Sequence, residues 1–564
     1  MRWQHTRVTI GRRAELAGWA ALVAAALVVR LVDLGDRPFQ HDEAQIAYFS
    51  WLFAQTGDYA YEPVLHGPLM YHAQAAFFRV LGDGDFVARL PMALAGLAVT
   101  ALAFGLRSSL GRAAAFVAGV LFAFGPTFLY YSRFEREDII VAAVTLALLI
   151  AVGRLLERPR PALAPIIGAL LALSFTLKES TYITVAVVGS FLAGMAAWQR
   201  RGSCLRDTPV ARALAVPGRR GWWLAAGLFV LVYTALFTTF GTNPGGLWDA
   251  VYGGPRYWLE QQPINRGGER WGFHLLLLSS LEWPVLLFGL VGLAAVFRRP
   301  TPMTALLAWT FVASLAIYSW ASERFAWLTL HPLLALVPLA AVGVVSVARA
   351  PSVLVRGGGL ALAIAGVAYL GVSSWVANGA QRVDPRSLLV APQTTEAALG
   401  VRDELLSLDR RLRRVAGRPL SVDVDSNDSF AFPWAWYLRN VRTGFLDMRA
   451  AGYRPQTDAV IVSDEARAQV PLGAYRGRRF ALRAFWGRDY RRLSVGGWWR
   501  WITRRESWSP LGTSSGWLYV RRDLAPGPEP PPARGPRHLG SVGGSSQPMA
   551  TVDPRSPRGG IVGI

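Results

Sequence analysis

Eleven stretches of this chain are apolar over about the 17 to 25 residues that a helix needs to cross a bilayer, and nothing else in the sequence narrows the fold as far. They lie near 15–32, 86–106, 113–130, 138–155, 162–177, 182–198, 222–240, 274–297, 302–320, 325–348 and 357–376. Lipid offers no water to a stray amide, so spanning segments of this kind are helical. The expectation is a polytopic α-helical membrane protein with about eleven transmembrane helices. Composition agrees: 52% of residues are hydrophobic and 17% charged, against roughly 25% charged in average soluble proteins. The first stretch has the basic start and Ala-rich core of a signal peptide. Its apolar run continues to Val32 and ten more follow, so it reads as an uncleaved anchor.

Numbering the loops alternately separates two sets. One holds nineteen arginines in about 63 positions; the other holds nine arginines and Lys178 in about 106. The denser set belongs in the cytoplasm by the positive-inside rule. This predicts a multi-pass cell-membrane protein with a cytoplasmic N-terminus and an extracytoplasmic C-terminal part. Much of the net charge of +22 then serves topology and contact with membrane lipids, which argues against a nucleic-acid partner. The single cysteine, Cys204, falls in a cytoplasmic loop and excludes an intramolecular disulfide.

Three sections follow. Residues 1–376 form the bundle, with long outside loops at 33–85 and 241–273. Residues 377–523 form a polar outside domain. Residues 524–564, rich in Pro, Gly and Ser, form a tail expected to be disordered. Within the outside domain the spacing predicts a helix over 394–414 and strands at 420–424, 459–462, 480–485 and 517–520, a small α/β domain. Loop 33–85 carries helical stretches at 44–54 and 69–81. Gly512-Thr513-Ser514-Ser515-Gly516 fits the spacing of a nucleophile elbow, but a strand rather than a helix follows it, so it is set aside. No Walker A lysine and no HExxH motif is present.

With this topology the mixed charges gather at one membrane face. His41, Asp42 and Glu43 follow the first span, and His66 and His72 come later in the same loop. Arg133, Arg136 and Asp138 lie between spans three and four, Lys178 and Glu179 between five and six, and Arg324 between nine and ten with His331 two turns on. Charge at that depth is costly unless paired or facing a wet cavity. A carboxylate there can deprotonate an acceptor hydroxyl or hold a divalent cation, Mg or Mn, and Asp42 and Glu43 are the candidates. Arg and Lys donors can hold a phosphate and stabilise the charge that develops as it leaves. The headgroup of a lipid whose tail stays in the bilayer would sit at this depth.

The HDEA segment at 41–44, YSRFERED at 131–138, the KE pair at 178–179 and ERFAWLTLHPLL at 323–334 resemble the GT-C glycosyltransferases, the superfamily of protein O-mannosyltransferases and lipid A aminoarabinose transferases. HDEAQIAYFSWL, YEPVLHGPLMYH and RFEREDI are most similar to the flippase-activity-associated family named from archaeal N-glycosylation. The resemblance covers about 15–350 plus WYLRN at 436–440. It implies a GT-C-like bundle and a cell-envelope enzyme moving a hexose or pentose from a polyprenyl-phosphate donor to a hydroxyl of a glycan, lipid or protein. Asp42 would be the acceptor-activating base or metal-site carboxylate, with Glu43 beside it. Arg133, Arg136 and Asp138 match the superfamily's turn, Lys178 and Arg324 match positions facing the lipid phosphate, and His41, His66, Glu179 and His331 complete the expected substrate-binding set. Mannosyltransferases more often carry Gly after the lysine; Glu179 stands there instead, which leaves the donor open. The competing expectation is a transporter, flippase or flippase accessory for lipid-linked sugars. Such sites belong near the bilayer midplane, whereas these charges lie at one edge.

Overall fold

The computed structural model describes residues 11–200, 204–264, 266–380, 382–450 and 452–524. In chain order the first helices are α1 (Arg12–Leu31), α2 (His41–Thr56), α3 (Pro68–Leu81), α4 (Asp85–Leu102), α5 (Arg107–Leu110), α6 (Arg112–Phe124), α7 (Pro126–Tyr131), α8 (Asp138–Glu157), α9 (Leu163–Phe175), α10 (Thr181–Gln199) and α11 (Pro209–Ala215). They continue as α12 (Gly218–Phe237), α13 (Gly246–Trp248), α14 (Gly254–Gln261), α15 (Phe273–Ser280), α16 (Trp283–Arg298), α17 (Pro302–Trp320), α18 (Leu330–Ala348), α19 (Val353–Trp375), α20 (Glu396–Val415), α21 (Trp434–Tyr437) and α22 (Val495–Arg504). They sort into two compact units. The first comprises Met1–Asp36, His66–Ala73 and Val80–Ala380, and the second Arg37–Leu65, Gln74–Arg79 and Gln381–Ile564.

In the first unit every expected apolar stretch contains helix, but eleven full spans are not found. Among the described residues eight helices are long and apolar enough to cross a membrane. The pair α15 and α16 makes a ninth if taken together, although it is bent by 102°. α6 and α9 have 13 residues each; at about 1.5 Å per residue they fall short of the ~30 Å hydrocarbon core. Sequence hydropathy averages across breaks that the backbone does not. Gly125 turns extended and Pro126 starts α7, while Glu282 and Pro284 interrupt the eighth stretch. A proline supplies no N–H and cannot continue the preceding helix.

The bundle closes around α18, which is buried without interruption from Leu330 to Ala341. Small residues let its neighbour approach. A Cβ on Gly292 of α16 would lie 1.8 Å from the Leu339 carbonyl oxygen, and one on Gly343 of α18 would lie 1.9 Å from that of Phe288. Close small-residue contacts of this kind stand in for the hydrophobic drive that lipid removes.

The second unit is an α/β domain. Its strands are β1 (Gln393–Thr394), β2 (Ser421–Asp425), β3 (Arg442–Leu446), β4 (Ala459–Ser463), β5 (Tyr475–Trp486) and β6 (Leu511–Arg521), in the order β1-β5-β6-β4-β2-β3. β2 runs parallel to β3 and β4; the pairs β4–β6, β5–β6 and β1–β5 are antiparallel. α20 lays Ala398, Val401, Leu405, Leu408 and Leu412 against Val422, Val424, Ile461 and Leu518. Residues 512–516 lie within β6 and make no elbow.

Part of the long first loop belongs to this domain. The Phe39 amide donates to Tyr437 Oη at 2.8 Å, the Phe39 ring stacks on Trp436 at 5.5 Å, and the Gln393 side chain donates to the Pro38 carbonyl at 2.8 Å. The aromatic run ending at Tyr437 is thus packing surface for residues 37–65. The change from bundle to domain falls after Ala380 rather than after 376. The tail expected to be disordered lies, from 525 on, outside the described residues.

Candidate active site

In the bundle, Ser132 to Glu137 form a tight buried turn between α7 and α8. Arg133 is engaged by the backbone: its guanidinium donates to the carbonyls of Val29 and Arg30 at 3.0 Å each and to that of Asp33 at 3.1 Å. The first two are carbonyls of the last turn of α1, where partners within the helix run out, and Asp33 lies just beyond it. Arg133, expected to bind substrate, caps α1.

The acids of the turn do face a cation. Lys178 Nζ donates to Glu137 Oε1 at 2.7 Å and to Asp138 Oδ1 at 2.8 Å. Arg136 Nε donates to Asp138 Oδ2 at 2.9 Å, and its guanidinium lies 4.2 Å over the Trp327 ring. Burial alone would lower the Lys178 pKa, but Asp138 and Glu137 outweigh it and raise it. Burial would likewise raise Glu137, yet Lys178, Arg136 and His66 hold it well below the usual carboxylate range.

His66 completes the cluster. Its Nδ1 lies 2.8 Å from Glu179 and its Nε2 3.6 Å from Glu137, and its ring stacks on Trp258. Backbone geometry puts it there. Gly67 and Leu69 donate to the carbonyls of Leu177 and Thr176 at 3.0 and 2.9 Å, and a Cβ on Gly67 would come within 2.2 Å of the Thr176 oxygen. Only glycine lets the two turns meet. His66 itself adopts φ of +62°, a left-handed conformation that costs about 1 to 3 kcal/mol in a non-glycine residue. Three carboxylates thus face two permanent cations and one histidine, and the network has no surplus positive charge for an added phosphate.

Arg324 and His331 have other direct contacts, although the charges of Asp138 and Lys178 reach His331. Arg324 donates to the carbonyls of Glu269 at 2.9 Å, Ser319 at 3.0 Å and Trp320 at 3.3 Å, so it staples the loop before α15 to the end of α17. His331 stacks on Tyr318 with centroids 4.5 Å apart. Together with Thr145, Thr184, Thr310 and Ser314 they line a cavity of about 20 Å³, the space of about one water molecule. A sugar does not fit.

In the second unit, α2 starts at His41 and is capped by Gln40, whose side chain accepts from the Asp42 amide at 2.6 Å. Glu43 closes the box: Oε2 accepts from the Gln40 amide at 3.0 Å and Oε1 from Arg37 at 3.1 Å. Both Glu43 oxygens are therefore structural. Asp42 occupies the first turn, where the helix dipole favours an anion. Arg483 of β5 lies beside it: its Nη2 is 3.3 Å from His41 Nδ1 and donates to the Phe432 carbonyl at 2.7 Å. Burial and then the Arg483 charge push the His41 pKa down to about 3. Burial lowers Arg483 to about 10, an effect that Asp42 opposes. His41 is neutral at neutral pH, and the Asp42 carboxylate lies near the Arg483 guanidinium.

Residues 65–217 match the family model described as dolichyl-phosphate-mannose-protein mannosyltransferase, a match that covers the cluster from His66 to Lys178. The chain is similar in structure to ArnT from Cupriavidus metallidurans bound to undecaprenyl phosphate: TM-score 0.57, 16% identity, covering 91% of this chain and 100% of that one. It is also similar to the oligosaccharyltransferase of Archaeoglobus fulgidus in the apo form: TM-score 0.53, 12% identity, covering 77% of this chain and 64% of the other. The chain has the GT-C fold. Comparison with curated proteins gives no match.

The expected residues therefore divide. His66, Arg136, Asp138, Lys178 and Glu179 come together in the bundle; His41, Asp42 and Glu43 come together in the α/β unit. Two residues escaped the sequence reading. Glu137 sits in a turn whose neighbours had drawn attention, and Arg483 is one arginine among many in RGRRFALRAFWGR. The ladder between β5 and β6 slips between Ala481 and Arg483, and a bulge of this kind re-aims a side chain in a way that strict alternation does not predict. The expected metal pair does not fit: Glu43 is fully engaged and His41 faces Arg483, so Asp42 is left as a single carboxylate. Among the described residues no group of three His, Cys, Asp or Glu could hold a metal ion.

Proposed function

We propose that this chain is an integral-membrane glycosyltransferase moving a sugar from a polyprenyl-phosphate donor to an acceptor hydroxyl at the extracytoplasmic face, with Asp42 as the general base. The observation that carries the reading is the fold shared over the full length of a protein solved with undecaprenyl phosphate. The acid arrangement agrees with it. Glu43 is consumed by capping, whereas Asp42 is buried at a helix N-terminus beside a guanidinium. In the reaction the acceptor oxygen attacks the anomeric carbon, its proton passes to Asp42, and the bond from that carbon to the phosphate oxygen breaks to release polyprenyl phosphate. Which sugar moves, and whether the acceptor is glycan, lipid or protein, is left to the assay.

The turn cluster takes a different part from the one expected of it. Lys178 and Arg136 reach a donor phosphate only by leaving carboxylates that hold them at 2.7 to 2.9 Å, so we assign the cluster to holding the turns at 132–138 and 176–181 in register with His66. The test is purified protein given radiolabelled polyprenyl-phosphate hexoses and pentoses with extracts containing acceptors. Label should leave the lipid, and Asp42→Asn should prevent it. Orientation is tested by thiol labelling of intact cells. Ser132 is fully buried and cannot report, so the outside probe is Glu260→Cys, exposed in loop 241–273. An impermeant reagent should label position 260 and spare Cys204; the reverse pattern would overturn the orientation.

A further inference from the structure

The segment 487–506 of the α/β unit carries six arginines against one aspartate and one glutamate, and its helix α22 presents aromatic and aliphatic side chains to the outside. Val495 is 82% exposed and Trp499 59%; at a spacing of four they share one helix face. Arg500 and Arg504, also four apart, lie further round the helix, between that face and the one that carries Trp501. Each acid is divided between two arginines. Asp489 lies 3.1 Å from Arg491 and 3.4 Å from Arg492, and Glu506 lies 3.7 Å from Arg500 and 3.8 Å from Arg504. The pairs leave a surplus of positive charge around exposed tryptophan, which is the composition of a helix lying in the headgroup layer.

A second observation ties this helix to the membrane. Trp501, buried on the opposite face, donates its indole N–H to the Arg386 carbonyl at 2.9 Å. Arg386 follows the last spanning segment, which ends at Gly379, by seven residues, and seven residues of extended chain reach at most about 25 Å. α22 is therefore held to a residue that follows the last spanning segment by seven positions.

We propose that α22 and the arginine-rich turn before it form a docking surface for anionic phospholipid headgroups, with Val495 and Trp499 entering the interface and Arg491, Arg492, Arg500 and Arg504 contacting phosphates. The proposal rests on the membrane reading of the chain and is independent of the transferase reading. Its test uses the full chain with Cys204→Ser, carrying a fluorophore at Thr503→Cys beside Trp499 or at Val415→Cys, an exposed control at the end of α20. Each is placed in nanodiscs of phosphatidylcholine with or without phosphatidylglycerol. The label at 503 should be quenched by lipid-borne nitroxide and shielded from iodide when phosphatidylglycerol is present, and the label at 415 should not. Arg500→Gln and Arg504→Gln should each weaken the lipid-bound fraction roughly fivefold. Equal iodide access at both positions in both lipids would overturn the proposal. So would a contrast that ignores lipid charge, or protection that appears only on adding a soluble acidic glycan.

Discussion

Two charged regions of this molecule look alike in sequence and behave differently in structure. In the bundle, Glu137, Asp138 and Glu179 are matched against Lys178, Arg136 and His66 with contacts mostly under 3 Å, and the charges spend themselves on each other. In the α/β unit, Glu43 is absorbed by a capping box while Asp42 stands at a helix N-terminus with Arg483 beside it and a neutral His41 preceding it. A network with every charge paired resists change, whereas the Asp42 carboxylate lies at a helix N-terminus beside a guanidinium and outside the capping box that occupies Glu43.

The largest expected effect breaks the bundle network. Lys178→Ala takes the ammonium from two buried carboxylates, of which Asp138 keeps Arg136 at 2.9 Å, and losing one partner of a buried ion pair costs about 3 to 5 kcal/mol. Thermal unfolding in detergent should show that loss, and adding Glu137→Gln with Asp138→Asn should restore much of it. A Lys178→Ala protein as stable as the parent but weak in donor binding would return the lysine to the phosphate. A smaller effect is expected at Arg133, whose removal leaves carbonyls at the end of α1 unpaired at a cost of about 1 to 3 kcal/mol; donor affinity, measured separately, should not move. The smallest concerns His41. With a folded pKa of about 3 and an unfolded value near 6.5, the unfolded chain binds more protons between those limits. Stability should therefore fall as pH drops from about 6.5 toward 3, by at most about 1.4 kcal/mol per pH unit. Parallel melting curves of parent and His41→Gln across that range should show a shallower slope in the variant, since other depressed groups still contribute to both.

Much of this was legible in the residues. Hydropathy located every apolar segment, because a spanning helix has to be apolar along its whole length. It could not see that Gly125 and Pro126, or Glu282 and Pro284, break a stretch in two. Alternation and turn residues marked α20 and four of the six strands; β1, with two residues, and β3, with its mixed RTGFL, gave too little pattern. Mixed charge marked the turn cluster, since acids and bases at membrane depth have to find one another. The targets of Arg133 and Arg324 were hidden because backbone carbonyls carry no sequence signature. The membership of residues 37–65 was hidden because it rests on Phe39 meeting Trp436 and Tyr437, almost four hundred positions away. Arg483 was hidden by a slip in strand register.

The central claim is that Asp42 serves the chemistry rather than the architecture. The measurement that tests it most directly is transfer of labelled sugar from polyprenyl phosphate to acceptor in proteoliposomes, run beside a separate assay of lipid translocation, for the parent and for Asp42→Asn. The account predicts transfer by the parent, a loss of about 10²-fold or more in the variant and nearly unchanged donor binding. A parent protein that never transfers label, together with translocation that Asp42→Asn abolishes, would contradict it and make the chain a transporter of lipid-linked sugars.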